Sequence, residues 1–89
     1  MSVEVIALDD ELDIRNGTIC IKIDVEGYEL EVLAGAGILF RSNGGYAQIE
    51  CHGDQHAAAI SKIMSTYGWR FIDRYDLNLL FACHPPRRH

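Results

Sequence analysis

Residues 19–37 read ICIKIDVEGYELEVLAGAG, an apolar run that stops at an Asp-x-Glu-Gly step and passes straight into a helical pattern. Ile19, Ile21, Ile23 and Val25 are β-branched and alternate with other residues, which predicts a strand over 19–25. Gly27 lets the backbone turn sharply without a Cβ penalty. Beyond it Leu30, Leu33, Ala34 and Gly37 fall at helical spacing, with Val32, Ala36 and Phe40 beside them. The spacing predicts a helix over 28–40, with Glu29 and Glu31 in the first turn, where acidic groups favour its positive end. Asp24 and Glu26 then stand at the C-terminal end of the strand. In open α/β sheets ligands bind at that end.

Working outward, residues 3–8 alternate weakly and predict a short strand, and the polar stretch 9–17 ends in an Asn-Gly turn. Ser42-Asn43-Gly44-Gly45 closes the predicted helix. A strand follows over 46–51, and Asp54 is placed to cap the next helix. Ala57, Ile60, Ile63, Met64 and Tyr67 form that helix's apolar face, and Gly68 fits its stop. Two strands, 69–75 and 77–84, are separated by little more than Asp76. So short a connection demands an antiparallel hairpin, because a parallel return needs a dozen residues. The predicted fold class is therefore α/β, in the order β-α-β-α-β-β with a closing antiparallel hairpin. The 19–25 strand presents a long apolar edge, which invites pairing with another strand. Residues 3–8 folding back, or a second copy of the chain, are expected to cover it.

The 89 residues suit one small domain, and a hydrophobic share of 48% is that of a globular chain. A net charge of −5, without a basic stripe, argues against general nucleic-acid binding. The one basic cluster, Arg87-Arg88, follows Pro85-Pro86 at the tail and reads as a solvated end. No run approaches the ~18 apolar residues of a membrane span, and no basic-then-apolar leader opens the sequence. Asn16-Gly17-Thr18 fits the glycosylation pattern, but without a leader it reads as a turn. Cys20, Cys51 and Cys83 form no CxxC pair, and their odd count suggests no disulfide framework. They are expected to be reduced, mostly buried strand residues of a cytoplasmic protein.

Asp24, Glu26, Glu50 and His52 are the candidate catalytic residues. Neighbouring parallel strands bring their C-terminal ends to one side, and a spacing of two points each pair to one face. Three carboxylates and an imidazole would shift one another's pKa values there. His52 is the first choice of base, since its ordinary pKa is near 6.5, and Glu26 the second. The alternative for Glu26 and Glu29 is purely structural: turn and cap hydrogen bonds that fix the Gly27 corner. Lys22 is expected to pair with a nearby carboxylate, because an unpaired buried charge is costly. The four site residues would also suit a divalent ion, but carboxylate pairs on strand ends are common and no metal is assigned. A zinc set drawn from Cys51, His52, His56, Cys83 and His84 matches no zinc module.

IKIDVEGYELEVLAGA resembles the signature of the FkbM-type family of S-adenosylmethionine-dependent methyltransferases. Leu8-Asp9-Asp10 upstream, Gln48-Ile49-Glu50-Cys51-His52 and Leu77-Asn78-Leu79-Leu80-Phe81 resemble its other segments in order. The resemblance implies a Rossmann-like methyltransferase sheet, with S-adenosylmethionine as cofactor and Asp24 beside the cofactor's methionine portion. It also implies methyl transfer to a hydroxyl of a sugar, polyketide or similar small molecule. The family's glycine-rich cofactor loop has no counterpart before Ile19, where only 18 residues lie, short of the roughly 30 of a βαβ unit. Residues 1–89 are accordingly expected to form a single partial domain, the C-terminal half of such an enzyme, inactive alone. A non-catalytic half-domain that dimerises or complements a partner chain is the second expectation. A small metal-dependent enzyme is the third.

Overall fold

The 19–25 run does form a strand, two residues shorter at its end than the alternation predicts. The computed structural model describes residues 17–84; the expectations for 3–8, 9–16 and the basic tail lie outside them. The elements are β1 (Thr18–Ile23), α1 (Glu29–Ala34), α2 (Gly37–Arg41), β2 (Gly44–Glu50), α3 (Asp54–Thr66), β3 (Arg70–Tyr75) and β4 (Asn78–Cys83). β1 and β2 are parallel, β4 is antiparallel to β2, and β3 is antiparallel to β4, in the spatial order β1-β2-β4-β3. The β3–β4 hairpin turns at Asp76, which takes the left-handed conformation with φ 56°. A register shift between Phe71 and Asp73 interrupts the pairing of β3.

The helix expected over 28–40 is two short helices. Gly35 (φ −92°, ψ 11°) and Ala36 (φ −121°, ψ 16°) leave helical geometry. Glycine is the weakest helix former after proline, and packing rewards the break. Ala36, Leu39 and Phe40 are buried together, and the Tyr67 hydroxyl donates to the Leu33 carbonyl at 2.7 Å. The expected closing loop is also different, since Gly44 and Gly45 belong to β2. Buried Asn43 joins the elements instead. Its Oδ1 accepts from the Gly17 N–H and its Nδ2 donates to the Leu39 carbonyl, both at 2.8 Å.

Asp54 is not the cap. Gly53 occupies that position with no side-chain hydrogen bond, while the exposed Asp54 carboxylate meets Arg74 Nη1 at 3.1 Å. The apolar face of α3 is as predicted, with Ala57, Ile60 and Met64 buried and Ile63 and Tyr67 packed beside them. Its end is a Schellman turn: the Gly68 N–H reaches the Ser65 carbonyl and the Trp69 N–H that of Met64. Trp69 is buried, donates from Nε1 to the Phe40 carbonyl at 2.8 Å, and meets the Phe40 ring edge-on.

The helices cover one face of the sheet, where Ile23, Ala47, Ile49, Leu79 and Phe81 are buried against Val32, Leu33, Ile60 and Met64. The opposite face is open among the described residues. Cys20, Lys22, Tyr46, Gln48, Ile72 and Leu80 border a groove of about 470 Å³ on it, and Tyr46 is 63% exposed. Lys22 is exposed and makes no ion pair among the described residues, because water solvates it and no buried charge needs compensation. Of the three free cysteines only Cys51 is buried; Cys20 is exposed and Cys83 intermediate. Position 20 points to the uncovered face, which alternation along β1 cannot distinguish from a covered one.

Candidate functional site

Parallel pairing of β1 with β2 puts both C-terminal ends at one edge of the sheet. After Ile23 the chain passes Asp24 and Val25, then turns through Glu26 (φ 50°) and Gly27 (φ 103°) into α1. The left-handed step suits Gly27 and is costly at Glu26, whose side chain is exposed. Glu29 closes this corner from beneath. Its Oε2 accepts the Val25 N–H and its Oε1 the Gly27 N–H, each at 3.0 Å. The Glu29 side chain is 0% exposed. The structural role weighed for Glu26 and Glu29 therefore falls to Glu29.

From the neighbouring strand, Glu50 ends β2, and His52 and His56 follow on the approach to and first turn of α3. His52 Nε2 lies 3.0 Å from Glu50 Oε1 and 3.7 Å from Glu29 Oε1. His56 Nδ1 accepts the His52 backbone N–H at 2.8 Å, so the neutral ring carries its proton on Nε2, which faces Glu29 Oε1 at 3.8 Å. The two imidazoles are 5.5 Å apart between centroids.

Asp24 reaches the cluster by a side-chain hydrogen bond to Glu50. That shared hydrogen bond raises the Glu50 pKa above the ordinary carboxylate value. Desolvation and the charges of Asp24 and Glu29 add to the rise, and His52 opposes it. Glu50 thus holds its proton more tightly folded than unfolded. Its extra proton affinity favours the fold below the ordinary carboxylate range and is lost as pH rises through the raised pKa. Asp24→Asn, which leaves an amide able to donate to the ionised carboxylate, should lower the Glu50 pKa toward or below the ordinary carboxylate value. Carboxyl ¹³C NMR titration reads this directly, and an unchanged Glu50 midpoint would refute the Asp24 contact.

Of the four predicted site residues, the structure gathers Asp24, Glu50 and His52. It does not gather Glu26, which has no hydrogen bond or ion pair to the cluster among the described residues. Glu29 and His56 take part instead. The available signals were the acid two residues after the Gly27 corner and the His-x₃-His spacing at a helix start. Cys83 pairs opposite Gly45, at the far end of β2 from Cys51 and His52.

The described residues form a small α/β unit whose acids and imidazoles stand at the C-terminal ends of its parallel strands, the edge at which open α/β sheets bind ligands. The chain belongs to the FkbM methyltransferase family: the family model, described as the methyltransferase FkbM domain, matches residues 1–71. The match takes in every residue of the cluster. Comparison with curated proteins and with solved structures finds no match. Among the described residues no helix is long and apolar enough to cross a membrane.

Proposed function

We propose that this chain is the C-terminal part of an S-adenosylmethionine-dependent O-methyltransferase acting on a hydroxyl of a sugar or similar natural product. In this reading residues 1–89 are one partial domain. Family membership supports methyl transfer. The order β1-β2-β4-β3 with β4 reversed supports the second half of a Rossmann-like methyltransferase sheet. Parallel strands are ordinarily buried on both faces, so the face of β1 and β2 left open among the described residues fits a sheet that continues in the complete enzyme.

The observation that carries the mechanism is the Glu50–His52 pair at 3.0 Å. With Glu50 ionised, His52 keeps its proton on Nε2 toward Glu50. Nδ1 is then the nitrogen that takes the acceptor hydroxyl's proton, and Glu50 stabilises the imidazolium that forms. Asp24 presents carboxyl oxygens beside Glu50 that suit the cofactor's cationic methionine end. When bound, S-adenosylmethionine supplies an electrophilic methyl group. Glu29 holds the corner that sets the distance between Asp24 and the base.

Titration with S-adenosylhomocysteine, followed by amide NMR, tests the reading. Saturable shifts are expected at residues 24–27 and 50–53, at millimolar affinity for a partial site and lost in Asp24→Asn. No shift at either strand end would sink it.

A non-catalytic half-domain that pairs through the uncovered face or the β1 edge is the second reading. The open groove beside Cys20, Tyr46 and Leu80 favours it. A stable dimer by sedimentation, with no response to S-adenosylhomocysteine, would select it.

A further inference from the structure

The side chain of Glu29 is fully buried, yet its carboxylate is only half satisfied. Each oxygen accepts one backbone N–H. The second lone pair of Oε1 faces His52 and His56 nitrogens at 3.7 and 3.8 Å, too far for hydrogen bonds. Burying a carboxylate oxygen without full compensation is costly. The neighbours add to that cost, since Asp24 and Glu50 are themselves in contact. Among the described residues no Lys or Arg pairs with any of these three acids; Arg74 is engaged by Asp54. The groups that face Oε1 are the His52 and His56 imidazole nitrogens.

We propose that Glu29 Oε1, Glu50 Oε1 and His52 Nε2 bind one divalent transition-metal cation. The three donor atoms lie within 4.8 Å of one another, and two of the pairs are at 3.0 and 3.7 Å. Donors about 2.1 Å from a shared ion stand about 3 to 3.5 Å apart, so small side-chain rotations close the set. Two carboxylate oxygens and one imidazole nitrogen favour manganese, iron, cobalt or zinc over calcium. Glu29 is held by two backbone N–H groups, as outer groups orient metal-bound carboxylates, and His56 Nε2 stands 3.8 Å from the same Oε1. His56 itself is excluded as a ligand through Nε2, because that nitrogen carries the ring's proton.

Protons and the cation compete for the same lone pairs on Glu50 and His52, so affinity rises with pH. A cation on Nε2 also fixes the remaining His52 proton on Nδ1 and removes the ring as a base. Cation binding and the base role therefore exclude each other, and the proposal does not depend on methyl transfer.

The test is titration of the full chain with Mn²⁺, chosen because thiolates of Cys20 and Cys83 compete poorly for it. Free ion is followed by electron paramagnetic resonance, and the bound ion by pulsed measurement of ¹⁴N coupling. The expected result is one Mn²⁺ per chain with a nitrogen coupling. His52→Gln, at an exposed side chain, should abolish the coupling and weaken binding at least ~10-fold, with unchanged circular dichroism. Glu50→Gln should weaken it comparably. No stoichiometric binding, or binding that both variants leave unchanged, would overturn the proposal. Loss of S-adenosylhomocysteine shifts with Mn²⁺ binding intact would fail only the methyl-transfer reading.

Discussion

Gly45→Ala is expected to separate β1 from β2 and to destabilise the fold by at least about 4 kcal/mol. Two penalties act together. A Cβ at this position would lie 1.9 Å from the Ile19 carbonyl oxygen and 2.9 Å from two further backbone atoms of Ile19. Backbone cannot yield as a flexible side chain does, so the strands must part. Position 45 also has φ 126°, a conformation that L residues adopt only at a cost of about 1–3 kcal/mol. Against a total stability of about 5–15 kcal/mol, such a loss leaves the melting temperature roughly 20 °C lower or abolishes the transition. Gly27→Ala is the control. It has φ 103° but no atom within 4 Å of the added carbon, so only backbone strain of about 1–2 kcal/mol is expected. Thermal unfolding by circular dichroism separates the two, and equal melting temperatures would show that close approach is not the cause.

Glu29→Ala should rank next, with a loss of about 3 kcal/mol and a melting temperature lower by roughly 10–20 °C. The substitution leaves the Val25 and Gly27 N–H groups without their acceptors. It also opens a space where a buried side chain stood. Glu29→Gln keeps one carbonyl oxygen and should lose about half as much. The consequence for the site is larger than for the fold, because the corner places Asp24 opposite Glu50. Nitrogen-15 spectra of Glu29→Gln should therefore shift at 24–27 even where the fold survives. A Glu29→Ala protein as stable as the parent would show the corner to be self-supporting.

Gly45 gives no local sign of its importance, whereas a corner-fixing role for Glu29 or Glu26 was legible and only its burial and its assignment to Glu29 were not. Glu29 reads in the sequence as a first-turn helix acid worth a few tenths of a kcal/mol. It becomes a structural centre because the turn at Gly27 folds its carboxylate back under Val25, four residues earlier. Gly45 reads as part of a closing loop, since Asn-Gly-Gly is ordinary turn chemistry. Its membership of β2 is set by Ile19, 26 residues away, through the parallel register. His56 reads as one polar residue on a helix start, and joins the site only because the helix begins at Asp54, directly after its cap Gly53 beside His52.

Much else was legible. β-branched alternation marks β1, the spacing of Ala57, Ile60 and Met64 marks the buried face of α3, and the lone Asp76 between two apolar runs marks an antiparallel hairpin. These are local signals: a strand or helix shows its buried face by its own period, whatever lies against it. The convergence of Asp24, Glu50 and His52 was also readable, since a strand–helix–strand crossover forces parallel pairing and thus a shared C-terminal edge. Which acid enters the cluster was not. Glu26 and Glu29 differ by less than one helical turn in sequence, and the left-handed step at Glu26 and Gly27 sends one outward and the other into the core. By itself, then, the chain's periodicity determined the strands, the long helix α3, their order and the end of the sheet where the site lies, but not the break between α1 and α2 at Gly35 and Ala36. The tertiary structure decided which side chains meet there, because that depends on single dihedral angles and on contacts between distant residues.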